Sequence, residues 1–261
     1  MQTIFLNGWA ASTAAWSLCE TAKGAPLFSY LDQLDGRPEA ALAAAPDGAA
    51  LVGWSMGGSG ALRLACRFPE KIKGLVLLAA TPRMMEEPAT RWRGMSPRRL
   101  QALEFGLKAT HGEGFFGVPD GKPNPYRMDS DANLARGLDY LRATDLRAPL
   151  EQLARTGALR QAPIFIFQSE RDGIVRAENA TYLKRLFPHA ALELIPGGEH
   201  ALPILIPERI DAAVAAIRTH GDAPADAFDG CPVAATAKAE LLAAVKRISD
   251  KQQQQASNIN T

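Results

Sequence analysis

The sequence predicts an α/β protein: a mostly parallel sheet of about six strands, helices on both faces, and a helical cap inserted between the two halves. Three observations predict it. Short apolar runs recur at residues 3–6, 27–31, 49–52, 73–79, 163–168 and 191–195, each of strand length and most of them bounded by turn formers. Stretches of helical character separate them, and strands that alternate with helices pair in parallel through crossovers. The rhythm lapses between residues 83 and 147, where helix-like and turn-rich pieces replace strands.

Taken in order, the first strand at 3–6 leads through the cap signals Ser12 and Thr13 into a helix expected over 12–23. The strand at 27–31 is followed by a loop at 32–37, and Pro38 opens an Ala-rich helix that ends before Pro46-Asp47-Gly48. The strand at 49–52 runs into a helix reaching Phe68, and the strand at 73–79 closes the first half. Strands at 163–168 and 191–195, with helices near 179–186 and 207–219, form the second. The core is therefore assigned to residues 1–82 and 148–220. Residues 83–147 are assigned to a cap over the carboxyl ends of the strands, with Leu134, Leu138 and Leu141 along one helical face and turn-rich pieces at 111–114 and 117–125. Residues 221–261 read as a linker and an appended helix at 236–251, striped by Leu241, Val245 and Ile248 and ending in a polar, disordered tip.

Composition narrows the class. At 261 residues and 47% hydrophobic, the chain can bury a full α/β core, and a formal net charge of +1 gives no bulk attraction to nucleic acid or to a membrane surface. Cys19, Cys66 and Cys231 are widely spaced, odd in number and without metal-ligand spacing, so they read as reduced thiols of a cytoplasmic protein. Met1-Gln2-Thr3 leads straight into the first strand and leaves no room for a signal peptide, and no apolar run is long enough to span a bilayer.

The chemistry-bearing motif is Gly53-Trp54-Ser55-Met56-Gly57-Gly58, directly after the run at 49–52. A strand that turns at once into a helix at Gly-x-Ser-x-Gly lifts the serine onto a sharp, exposed elbow. A Gly-rich turn between buried elements has the same composition, so the motif needs partners. A serine hydroxyl needs a base to take its proton, and the base needs a carboxylate to fix its tautomer. Of the four histidines, His200 follows a strand in the loop Pro196-Gly197-Gly198-Glu199-His200, where a parallel sheet presents reactive groups; His111, His189 and His220 do not. Asp172, before Gly173 and beyond the strand at 163–168, is the candidate acid, and Glu170 on the same loop is its competitor. Backbone N–H groups of Met56, after the serine, and of Trp9, in Asn7-Gly8-Trp9 after the first strand, are the candidate oxyanion donors. No metal or organic cofactor is implied.

The order Ser55, Asp172, His200 is that of the α/β-hydrolase triad. The chain resembles the α/β-hydrolases, and among them the carboxylesterases that act on pimeloyl-[acyl-carrier protein] methyl ester in biotin synthesis. The likeness runs through Gly53–Gly58, Asn7-Gly8-Trp9, residues 92–97, Asp172-Gly173-Ile174-Val175 and His200-Ala201-Leu202-Pro203, and is sharpest at residues 137–147. It implies Ser55, Asp172 and His200 as the triad and Trp9 and Met56 as oxyanion donors. The implied substrate is a half-ester borne by an acidic acyl-carrier protein. Arg91, Arg93, Arg98, Arg99, Arg136 and Arg142 are the candidate carrier contacts. Between residues 83 and 108 six basic residues face three acidic ones, a modest excess that a solvated helix face would also give. Other readings are a short-acyl esterase or thioesterase with the same triad, and a catalytically idle partner-binding module of the same fold. The chain departs from the family in lacking an amino-terminal hairpin, in carrying Asn7 where His is usual before Gly8, in an abbreviated stretch after Asp32, and in its carboxyl-terminal extension.

Overall fold

A computed structural model describes residues 1–110, 121–127 and 129–221, and Met1–Ile217 form one compact unit. His111, the turn-rich stretch to 120, Cys231 and the linker and helix expected after 221 lie outside the described residues. Six strands, β1 (Gln2–Leu6), β2 (Leu27–Phe28), β3 (Ala49–Trp54), β4 (Ile72–Leu78), β5 (Ile164–Ser169) and β6 (Ala191–Ile195), form one sheet in the order β2-β1-β3-β4-β5-β6. Every neighbouring pair is parallel. Central strands of a parallel sheet are covered on both sides, and the uninterrupted apolar runs of β3 and β5 are buried at every residue. The edge strand β6 is only partly covered and leaves Leu194 exposed.

The helices in chain order are α1 (Tyr30–Leu34), α2 (Arg37–Ala44), α3 (Met56–Arg67), α4 (Pro97–Thr110), α5 (Asp131–Ala143), α6 (Arg147–Thr156), α7 (Ala177–Leu186), α8 (Leu202–Leu205) and α9 (Pro207–Gly221). None of the described helices is long and apolar enough to cross a membrane. The core is built from Ile4, Leu6, Leu51, Leu75, Leu77, Ile164 and Ile166 on the strands, packed with Leu62, Leu64, Leu150 and Leu153 from α3 and α6. The chain leaves β1 toward β2 on one side and returns as β3 on the other. Between them lies the reversal of strand order, outside whose carboxyl ends α/β sheets bind their ligands.

Two local expectations are corrected. The helix expected over 12–23 is replaced by two 3-10 turns, Thr13–Trp16 and Glu20–Ala22. The Ser12 hydroxyl caps the first turn through the Ala14 N–H, whereas the carboxylate of Asp211 on α9 accepts the N–H groups of Glu20 and Thr21 at 2.9 Å each. A carboxylate distant in sequence has taken over donors that a continuous helix would have used internally. The strand expected at 27–31 pairs only at Leu27 and Phe28, because Ser29 and Asp32 form a reciprocal capping box that starts α1. Helix α6, for which no expectation was formed, buries Leu150 and Leu153.

The two ends of the segment 83–147 meet. Arg83 and Asp145 form an antiparallel bridge, the Leu146 N–H donates to the Pro82 carbonyl at 2.8 Å, and the Arg83 guanidinium reaches Asp145 at 2.6 Å. Arg147 binds Asp145 and Glu87, both at 2.7 Å, and lies over the Trp92 ring. The hydrogen bond from Arg147, outweighing partial burial and reinforced by Arg83, holds the Asp145 carboxyl down at about 2. A depressed carboxyl contributes stability above its unfolded value and loses it as pH falls. Wild type is therefore expected to exceed Asp145→Asn in unfolding free energy by a constant margin above about pH 5, and the margin should fall away from there down to about pH 2 in acid titrations followed by circular dichroism. A second expectation concerns α3. A Cβ at Gly57 would stand 2.0 Å from the Leu6 carbonyl oxygen and 2.8 Å from that of Asn7, both backbone atoms with little freedom to yield. Gly57→Ala should cost about 3 kcal/mol or more in urea unfolding.

Candidate active site

Strand β3 ends at Trp54 and α3 begins at Met56, so Ser55 alone makes the turn. Its backbone sits at φ 58° and ψ −118°, a region that residues with a Cβ rarely occupy. The surroundings hold it there. The Ser55 N–H donates to the Leu78 carbonyl at 2.9 Å, and the Ser59 N–H returns to the Ser55 carbonyl at 3.1 Å. Close approach on either side requires glycine: a Cβ at Gly53 would stand 2.3 Å from the Gly57 carbonyl oxygen. Strained backbone of this kind costs about 1–3 kcal/mol and persists only where packing fixes it.

The three residues singled out at 55, 172 and 200 come together. Ser55 Oγ lies 2.9 Å from His200 Nε2, and His200 Nδ1 lies 2.8 Å from Asp172 Oδ2. The side chains of His200 and Asp172 are 3% and 0% exposed, so the relay is shielded from water. Asp172 is anchored by its other oxygen, which accepts the Ile174 and Val175 N–H groups at 2.8 and 2.9 Å. Burial pushes the Asp172 carboxyl up, but the imidazole of His200 and these two N–H donors outweigh it and hold the group below its ordinary range. An ionised Asp172 has no proton to give, so Nδ1 must donate to it, and the Nε2 lone pair is left to accept from the serine hydroxyl. Glu170, the competing carboxylate, is exposed, and its backbone N–H is bound to the Ile195 carbonyl at 3.1 Å. His189 packs edge-on against Phe187, away from this cluster.

Several supporting groups escaped the sequence reading. The Trp54 indole donates to the His200 carbonyl at 2.8 Å and lies tilted against its ring, with centroids 5.6 Å apart. The Ser169 hydroxyl donates to the Glu199 carbonyl at 2.6 Å and fixes the loop that carries His200. The Gln168 carboxamide donates to Asp172 at 3.2 Å and to the Val175 carbonyl at 2.9 Å. A polar pair, Gln168-Ser169, at the end of an otherwise apolar strand was the available signal, since buried polar side chains demand partners. Tyr126 stands over Trp54 at 5.8 Å, and burial, then the charges of Asp172 and Glu199, keep its phenol protonated.

The two candidate oxyanion donors flank Ser55. Met56 opens α3, so its N–H is one of the helix's orphan donors. Trp9 follows Gly8, whose Cα approaches so closely that a Cβ there would be 3.2 Å from that of Ser55. Beneath this loop the Asn7 carboxamide donates to the Ser12 carbonyl at 3.2 Å and accepts the Trp16 indole N–H, while Gln33 donates to the Asn7 carbonyl at 2.8 Å. Asn7 thus serves the loop with both ends of its amide. Gly8, Trp9, Ser55, Tyr126 and His200, with Leu103 of α4 and Leu141 of α5, enclose a cavity of about 20 Å³, room for about one water. A larger cleft of about 780 Å³ runs along Arg91, Trp92, Arg147 and Tyr182 and contains none of these residues.

The six arginines proposed as carrier contacts differ in their partners. Arg93 pairs with Glu178 on α7, toward the β5–β6 end of the sheet, whereas Arg136 pairs with Asp35, after α1, near the β2 end. Arg142 pairs with Asp139, and Arg99 donates to the Gly173 carbonyl at 2.7 Å, beside Asp172. Arg91 and Arg98 form no ion pair among the described residues.

Comparison with known proteins identifies the fold family. A family model described as alpha/beta hydrolase fold matches residues 29–205. The chain is similar to the pimeloyl-[acyl-carrier protein] methyl ester esterase of Nitrosomonas europaea, at 27% identity over 79% of this chain and 91% of the relative. It is also similar to the enzyme of that name from Shewanella woodyi, at 24% over 77% and 87%. Among solved structures, an esterase from Exiguobacterium antarcticum shares the fold with a TM-score of 0.62 at 18% identity, covering 84% of this chain and 92% of its own. The chain belongs to the α/β-hydrolase fold family.

Proposed function

We propose that this chain is a cytoplasmic serine carboxylesterase that hydrolyses the methyl ester of pimeloyl-[acyl-carrier protein], a step of biotin synthesis. The observation that carries the reading is the unbroken hydrogen-bond relay from Ser55 through His200 to Asp172. Similarity to esterases of that name, over most of their length, supports the substrate.

The chemistry follows from the relay. His200 Nε2 takes the hydroxyl proton as Ser55 Oγ attacks the ester carbonyl, and ionised Asp172 stabilises the imidazolium that forms. The Trp9 and Met56 N–H groups receive the charge that develops on the carbonyl oxygen, each worth about 3–4 kcal/mol to the transition state. His200 then gives its proton to the departing methoxide, which leaves as methanol. Water enters, loses a proton to His200 and attacks the acyl-enzyme; Ser55 regains its proton and the free carboxylate is released. On this reading the exposed arginines, Arg91 and Arg98 among them, attract the acidic carrier protein at long range.

One observation favours a second reading. The cavity beside Ser55, about 20 Å³, must widen for any acyl group, least for a short one, whereas a long dicarboxylate chain needs the helices above it to part. A chain-length series of methyl esters separates the two: kcat/KM rising toward long half-esters supports the carrier substrate, and a fall supports a short-acyl esterase or thioesterase. Rescue of a biotin-requiring strain that lacks its own esterase tests the biological assignment. A fluorophosphonate probe should label wild type at Ser55, and Ser55→Ala should lose labelling and at least about 10⁴-fold in kcat. Unlabelled, inactive wild type would identify an idle binding module instead. Proton NMR offers an independent check of the relay: a far-downfield His200 Nδ1–H resonance is expected in wild type and should disappear in Asp172→Ala.

A further inference from the structure

The loop over residues 7–12 carries the Trp9 N–H; its ends are tied through Asn7, whose N–H donates to the Phe28 carbonyl at 2.9 Å and whose carboxamide donates to the Ser12 carbonyl at 3.2 Å, but these bonds do not reach Trp9 or Ala10. Ala10 within it adopts a left-handed conformation, φ 54°, which a residue with a Cβ holds only under constraint. The constraint comes from the segment 83–147. The Ser12 N–H donates to the Pro125 carbonyl at 2.8 Å, and the Arg127 N–H donates to the Ala10 carbonyl at 2.9 Å. The Trp9 indole N–H donates to the Leu134 carbonyl, on α5, at 3.0 Å.

Gly137 is what admits the indole. A Cβ at this position would stand 2.4 Å from Trp9 Cδ1 and 2.9 Å from Nε1. Glycine is the poorest residue inside a helix after proline, and Gly137 lies mid-way along α5 without the left-handed backbone that would otherwise call for it. Close approach of Trp9 accounts for its presence.

We propose that the indole of Trp9 is a positioning group for the oxyanion: anchored to α5 across Gly137, it holds the backbone N–H of the same residue in register with the charge developing above Ser55. The proposal rests on the serine-esterase reading. It makes helix α5 part of the catalytic geometry although none of its side chains touches the reacting atoms in this scheme. An indole that merely fills space would need the same cavity but would leave transition-state binding untouched.

Two variants test it on the full-length protein. Trp9→Phe keeps a ring and removes the anchoring donor; Gly137→Ala raises the helix propensity of α5 while displacing the indole. Each is assayed for kcat and KM on a soluble methyl ester, for inhibition by a trifluoromethyl ketone whose hemiketal oxygen needs the same donors, and for the fraction of Ser55 labelled at completion by a fluorophosphonate. Both variants are expected to lose about 10–100-fold in kcat, with KM changed less than about twofold and the ketone weakened by the same factor as kcat/KM. Complete labelling shows that the relay is intact. Unchanged kcat in either folded variant, or a fall in kcat with undiminished ketone binding, overturns the proposal. If Gly137→Ala does not fold, Trp9→Phe decides alone. Wild type that neither labels nor hydrolyses esters would instead overturn the serine-esterase reading itself.

Discussion

The structure depends on one close approach, that of the first turn of α3 to the ends of β1 and β3. Ser55 occupies a left-handed backbone only because glycines at 53 and 57 let the helix backbone press against the strands. Widening that gap by a methyl group would allow the turn to relax and swing the hydroxyl away from His200. The same approach brings the loop after β1 beside Ser55, since Gly8 and Gly57 border its path. Sheet order, glycine placement and serine geometry are thus one constraint seen at three scales.

Around that constraint the polar groups are arranged so that few are left to chance. Asp172 is held by backbone donors before it meets the imidazole, and His200 is held through its own carbonyl by Trp54. Such preorganisation lets a buried carboxylate stay ionised without solvent, because its hydration is replaced by fixed dipoles rather than simply lost. Tyr126 and Trp54 pack at a tilt beside the relay and shield it from water, which strengthens each of its hydrogen bonds.

How much was legible in the sequence follows from how local each signal is. The Gly-Trp-Ser-Met-Gly turn, the apolar runs of β3 and β5 and the Asp-Gly turn after β5 are short-range patterns, and the geometry reproduces them. Residues 12–23 misled because Asp211, nearly two hundred positions away, caps a second turn within what would have been the carboxyl-terminal part of one helix. The strand over 27–31 was overextended because apolar residues continue past Ser29, although the Ser29–Asp32 capping box was there to be read. The arginines are a different case. Composition counts charges but not partners, and Arg93, Arg99, Arg136 and Arg142 are each engaged elsewhere in the fold. Trp54, Ser169 and Gln168 were missed because their importance lies in carbonyls and loops that only the folded chain brings to them.

The suture of Pro82–Arg83 to Asp145–Leu146 has a consequence for how such a molecule diversifies. With both ends of an excursion stitched together at the scaffold, the entropy of closing it is largely settled at the stitch and grows only slowly with the length in between. Residues can then be added, removed or exchanged across that excursion at little cost to the sheet beneath. Acyl preference is free to drift over generations while the hydroxyl, imidazole and carboxylate stay where they are, so long as the few anchors reaching down to the first strand's loop are retained.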